Sequence, residues 1–244
     1  MPREHHITVE RTARYYTLGD PRGDPRELWI ACHGYAQLAE RFLRALEPLN
    51  DGTRLIVAPE ALSRFYIETP GMTHAQAPVG ASWMTREDRL SEIDDYFVYL
   101  DALVAQVRPE IGAGPVRTVA LGFSQGAATV SRWAARGTSR VDRLILWGSV
   151  LPHDLDVAAH AEVLRAMDLV IVAGDADPHL PPAVLAEQRD RLAAHGITMR
   201  TLSYAGGHRI EAEALVLAAQ GEGAGIRDQG SGGSSETSPA RPAP

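Results

Sequence analysis

The chain has 244 residues, 45% hydrophobic and 23% charged, which is near a globular average and enough for one α/β domain with a sizeable core. A net charge of −7 and an isoelectric point near 5.7 argue against nucleic acid as a partner, because phosphate binding needs a basic face. No apolar stretch reaches bilayer length, the N-terminus has no apolar signal core, and Cys32 is the only cysteine; no membrane span, no intrachain disulfide and a cytoplasmic location are therefore expected.

In chain order, residues 7–18 have the composition of an exposed edge strand. Leu28–Cys32 is a continuous apolar run, the mark of a strand buried on both faces, and it ends in His33-Gly34-Tyr35-Ala36. Residues 37–49 carry apolar side chains at helical spacing, and Thr53–Ala58 is a second buried strand stopped by Pro59. Residues 59–87 match neither period and mix prolines and glycines with large apolar side chains. They predict a long irregular segment that either covers a pocket or packs its aromatics on the core. Asp88 is expected to cap a helix running to Val107, with Ile93, Phe97, Leu100, Leu103, Val104 and Val107 in its apolar stripe.

Arg117–Leu121 predicts a strand, and Ala127–Ala135 a helix closed by Gly137. Strands follow at 143–148, 168–173 and 197–204, with helices over 157–167, 183–194 and 210–220. Apolar strands alternating with amphipathic helices mean mostly parallel strands, right-handed crossovers and helices on both faces of the sheet. The domain is expected to span 1–220. Residues 221–244 hold six glycines, four serines and three prolines, with Ile226 the only large aliphatic side chain, so they predict a disordered tail.

Between the strand at 117 and the helix at 127 lies Gly122-Phe123-Ser124-Gln125-Gly126. A serine can project from the top of a sheet only if the backbone turns sharply beneath it, and glycines admit that turn and the close backbone approach it brings. A serine hydroxyl is a poor nucleophile; it needs a base within reach and a third group to orient the base. Downstream come Asp175 and Asp177 on one post-strand loop and His208 on the next. Ligands of such sheets sit beyond the carboxyl ends of the strands, and His33-Gly34, Ser124, Asp177 and His208 all follow strands. His208 is the expected base and Asp177 the preferred acid; Asp175, directly after Gly174, competes as acid but sits where an aspartate commonly makes a turn. The N–H groups of Gln125 and Tyr35 are the expected donors to an oxyanion. Cys32, inside the strand, reads as a small core thiol. The spacing Asp175-x-Asp177-x-His179 suggests a metal cluster but lacks a further ligand, so no metal or cofactor is expected.

With those residues in view, the chain resembles the phospholipase/carboxylesterase family of α/β-hydrolases, which includes acyl-protein thioesterases and small bacterial esterases. The resemblance rests on His33-Gly34, Ser82-Trp83, Gly122–Gly126, Gly174–Pro178 with Pro181, and Gly207-His208. It implies an α/β-hydrolase fold, Asp177 as the acid, and an oxyanion hole from Gln125 and the residue after His33-Gly34. Two departures stand out. Tyr35-Ala36-Gln37 replaces the family's usual continuation, which implies a narrower acyl entrance, and residues 62–85 do not follow the family closely. The expected function is cleavage of small-molecule carboxylic esters through an acyl-Ser124 intermediate. Alternatives are a thioesterase or lactone hydrolase with the same residues, or a binding protein on the same scaffold. The expected substrate-contacting side chains are Tyr35, Phe65, Tyr66, Met72, Trp83 and Leu180.

Overall fold

A computed structural model describes residues 1–73 and 75–220; the expected disordered tail, 221–244, lies outside the described residues. The strands are β1 (Tyr15–Leu18), β2 (Glu27–Cys32), β3 (Arg54–Pro59), β4 (Ser63–Tyr66), β5 (Val79–Ser82), β6 (Arg117–Phe123), β7 (Arg143–Trp147), β8 (Asp168–Gly174) and β9 (Arg200–Tyr204). The helices are α1 (Ala39–Arg44), α2 (Arg89–Val107), α3 (Gln125–Arg136), α4 (Ala161–Arg165), α5 (Pro182–Ala193) and α6 (Ala212–Ala219). Seven strands form one sheet in the order β1-β3-β2-β6-β7-β8-β9, antiparallel only at the β1 edge.

Side chains alternate across the sheet and fill two cores. Leu28, Ile30, Ala120, Leu144 and Ile171 face one way and pack with residues of α2, α3 and α5. Trp29, Ala31, Val119, Leu121, Ile145 and Val172 face the other way, against α1 and α6. Because both faces are covered, the central strands are apolar throughout, and each buried leucine or isoleucine contributes about 1.5–3 kcal/mol. The expected doubly covered, mostly parallel sheet is what the chain forms. Among the described residues no helix is long and apolar enough to cross a membrane.

The parallel register sets Cys32 beside Gly122, Phe123 beside Trp147, and Gly174 beside Tyr204. The loops after β2, β6, β7, β8 and β9 therefore leave from one edge. The opposite edge is tied by charge. Arg143, buried at the start of β7, meets Asp168 at 2.7 Å and donates to the last carbonyl of α6, Ala219, at 2.6 Å.

Several elements differ from expectation. β1 covers only Tyr15–Leu18 of the expected 7–18, since β3 offers four partners. The expected helix over 37–49 is α1 followed by a 3-10 turn, Glu47–Leu49, around Pro48. The segment 59–87 is not irregular throughout: β4 and β5 pair as an antiparallel ribbon, Ser63 against Ser82 and Phe65 against Gly80. Four residues of alternating burial are too few for a clear period-2 signal. Asp88 precedes α2 but does not cap it with its side chain; its φ is 46°, and Glu92 instead accepts from the Thr85 N–H at 2.6 Å. Tyr96 joins the buried stripe of α2, while Phe97 and Val104 are half-buried. The helix expected over 157–167 shrinks to α4, because Asp156 accepts from the Ala159 N–H at 2.9 Å and holds a turn. β9 starts at Arg200 because Ile197 closes α5 instead, its N–H reaching the Leu192 carbonyl past Gly196 at φ 65°.

Candidate active site

Ser124 sits between β6 and α3 with φ 53° and ψ −114°, a conformation L-residues rarely adopt. The flanking glycines are required by contact. A Cβ on Gly122 would stand 2.3 Å from the Gly126 carbonyl oxygen, and one on Gly126 2.1 Å from that of Cys32. The Ser124 N–H donates to the Trp147 carbonyl at 2.9 Å, which fixes the turn to the end of β7. The strain at Ser124 is thus over-determined by its neighbours.

At the same edge, the loops after β8 and β9 bring Asp177 and His208 together: His208 Nδ1 lies 2.7 Å from Asp177 Oδ2. Asp177 is 5% exposed, and its other oxygen accepts from the His179 N–H at 2.9 Å. With Nδ1–H donating to the carboxylate, His208 Nε2 is left as an acceptor. Asp175, the competing acid, is exposed and accepts from the Gly206 N–H at 2.9 Å, so it braces the loop and does not touch the imidazole. His208 packs on Phe123, with ring centroids 4.7 Å apart, and Phe123 directly precedes Ser124. In this resting arrangement of the described residues no hydrogen bond joins the Ser124 hydroxyl to His208. Such contacts often tighten only when substrate binds.

Three supports of His208 escape a sequence reading. Gly148, at φ 63°, lies under the imidazole; a Cβ there would stand 2.8 Å from His208 Cε1 and 3.3 Å from Asp177 Oδ2. The Trp147 indole donates to the Arg209 carbonyl at 2.8 Å. The Tyr204 hydroxyl lies 2.8 Å from the Gly207 carbonyl and 2.5 Å from that of Arg209. Together they clamp the loop that carries His208. The one signal available in the sequence is a glycine ending the apolar strand between the elbow and the acid loop.

The loop after β2 faces the elbow. Among the described residues the Tyr35 N–H has no hydrogen-bond partner, and the Gln125 N–H opens α3, where no intrahelical acceptor exists. Ala36, at φ 61°, is held by its N–H to the Ala81 carbonyl at 2.9 Å. The Gln125 side chain is structural as well. It accepts from the Trp83 N–H at 3.0 Å and donates to the Met84 carbonyl at 2.8 Å, tying residues 82–84 to the elbow.

His33 is fully buried. Its Nδ1–H donates to the Gly34 carbonyl at 2.8 Å and its Nε2 accepts from the Ala61 N–H at 3.1 Å, so the ring is neutral. Burial lowers its pKa, outweighing the pull of the Gly34 carbonyl. The unfolded chain therefore binds a proton that the folded one refuses. His33 should make stability fall as pH drops below about 6.5. Urea midpoints from pH 7.5 to 5.5 should decline more steeply for the wild type than for His33→Gln; equal slopes would contradict this. Burial also pushes the Cys32 thiol well up, as suits a core cysteine.

The expected substrate-contacting residues scatter. Tyr35 is exposed and stacks on Phe65 at 5.3 Å, and Tyr66 and Met72 are also exposed. Trp83 and Leu180 are instead core residues, each 3% exposed; the Trp83 indole donates to the His33 carbonyl at 2.9 Å. Aromatic content alone does not tell an outward face from an inward one. None of the six lines the cleft beside His208. That cleft, about 380 Å³, lies between α1 and the loop after β9, with Phe42, Phe123, His208 and Ile210 in its wall.

The sheet order, the elbow after β6 and the loops after β8 and β9 define an α/β-hydrolase fold. No family model matches the chain, and no curated protein matches it. Solved structures do. The esterase PE8 superposes with a TM-score of 0.64 at 23% identity, covering 85% of this chain and 96% of that one. Acyl-protein thioesterase 2 of Zea mays gives 0.64 at 17%, covering 84% and 96%. A phospholipase/carboxylesterase from Dyadobacter fermentans gives 0.60 at 19%, covering 87% and 97%. These similar structures are of the kind the sequence resembles, and at such identities what they share with this chain is the fold.

Proposed function

We propose that this protein is a serine hydrolase of the phospholipase/carboxylesterase kind that cleaves carboxylic esters. The observation that carries the reading is the 2.7 Å contact between His208 Nδ1 and Asp177 Oδ2, made at the sheet edge where Ser124 stands on its strained turn. His208 Nε2 takes the hydroxyl proton as Ser124 Oγ attacks the ester carbonyl. The Tyr35 and Gln125 N–H groups receive the oxyanion. The tetrahedral adduct then expels the alcohol, to which His208 returns the proton, and water repeats the sequence on the acyl-Ser124 ester. No cofactor enters these steps.

A fluorophosphonate probe should label the native protein on the peptide containing Ser124. Absence of the adduct on folded protein would overturn the proposal. Since one similar structure is an acyl-protein thioesterase, matched oxygen and sulfur esters should also be compared; a sulfur ester cleaved far faster would shift the reading to thioesters with the same residues.

Gly148→Ala should lower kcat/KM about a hundredfold while the protein stays folded, because the added methyl would stand 2.8 Å from His208 Cε1 and displace the imidazole. An unchanged kcat/KM would remove Gly148 from the positioning role.

A further inference from the structure

The cleft beside His208 carries a charge pattern unlike that of the chain as a whole. The protein has a formal net charge of −7, yet the lining of this cleft includes Arg41 and Arg209 and no acidic residue. Among the described residues neither guanidinium has a hydrogen-bond or ion-pair partner. Arg44, one turn further along α1, is by contrast paired with Glu40. Asp175 accepts from the Gly206 N–H at 2.9 Å and forms no ion pair with Arg209. Gly206 makes room for it: at φ 155°, a Cβ there would stand 3.0 Å from Arg209 Nη2. The same cleft is lined by the apolar side chains of Phe42 and Ile210.

Resting on the proposed esterase reading, we infer that this cleft takes the alcohol portion of the substrate and that Arg41 and Arg209 select alcohols carrying an anionic group, a carboxylate or a phosphate. The side follows from the proton. His208 must protonate the leaving oxygen, so that oxygen sits at Nε2 and whatever is attached to it continues on the imidazole side. His208 lines the cleft and Ser124 does not, which suits the part of the ester beyond the leaving oxygen. Guanidinium forks match carboxylate and phosphate oxygens, and the apolar wall suits a short hydrocarbon or aryl spacer.

The test compares kcat/KM for 4-acetoxybenzoate, its neutral methyl ester, 4-acetoxyphenyl phosphate, and an aryl hemisuccinate that carries its charge on the acyl side. The wild type should prefer an anionic alcohol portion, carboxylate or phosphate, over the neutral one. In Arg41→Gln/Arg209→Gln the anionic-to-neutral ratio should fall about tenfold, the size expected of partly solvated charge contacts, and Arg41→Lys/Arg209→Lys should retain part of it. Raising the salt to about 0.5 M should shrink the preference in the wild type and in the lysine variant, and leave the glutamine variant unchanged. A ratio unchanged in the glutamine variant, or a preference confined to the hemisuccinate, would overturn the inference while hydrolysis of the neutral ester left the esterase reading standing. No hydrolysis of any ester, with no fluorophosphonate adduct at Ser124, would overturn both.

Discussion

Replacing Ser124 by alanine is expected to reduce hydrolysis of p-nitrophenyl acetate by at least about 10⁴-fold, without loss of fold. The methyl group cannot form an acyl ester, whereas the elbow itself persists. Alanine at φ 53° bears the same backbone strain as serine, and the contacts that hold the turn are made by backbone atoms, among them the Ser124 N–H on the Trp147 carbonyl. The melting temperature should therefore barely move. Activity retained in this variant would refute the nucleophile assignment, because among the described residues no other hydroxyl is held on such a turn beside the His208 loop.

Asp177→Asn should cost about 10⁴-fold in kcat, while Asp175→Asn should change it by less than about threefold. The reason for the first is geometric. The His179 N–H, 2.9 Å from one carboxylate oxygen, would keep the amide oxygen of the asparagine on its side. The NH₂ group would then face His208 Nδ1 and force the proton onto Nε2, the nitrogen that has to accept from Ser124. The variant would look native and have its base in the wrong tautomer. Asparagine at 175 could still accept from the Gly206 N–H, so the loop would keep its brace. The opposite ranking of the two variants would make Asp175 the acid.

The fold is legible in the sequence wherever burial on both faces leaves a continuous apolar run. β2, β3, β6, β7 and β8 can be read to within a residue or two for that reason. Elements decided by local competition cannot. The turn held by Asp156 trims α4, and the four-residue ribbon of β4 and β5 contains Gly80 and Ala81, which have no strand preference of their own. At the candidate site, the glycines around Ser124 and the order of Ser124, Asp177 and His208 are readable because turn geometry and sheet topology demand them. The cleft is not. It forms where α1 meets the loop after β9, far apart in the chain, and its wall is ordinary in composition until those two pieces meet. Gln125 shows the same limit from another side. Its backbone is expected to matter, but nothing local reveals that its amide reaches Trp83 and Met84.

That amide tie has a consequence for how the protein could be remodelled. Beyond β4 the chain runs out and returns at β5, its base closed where the Ile67 N–H meets the Pro78 carbonyl at 2.7 Å and its near end moored by Gln125. New sequence inserted between 68 and 77 would bear on neither anchor, and lengthening a closed loop costs little, about 0.6 kcal/mol per doubling. The tip is therefore a place to graft foreign recognition segments without disturbing the turn that carries Ser124.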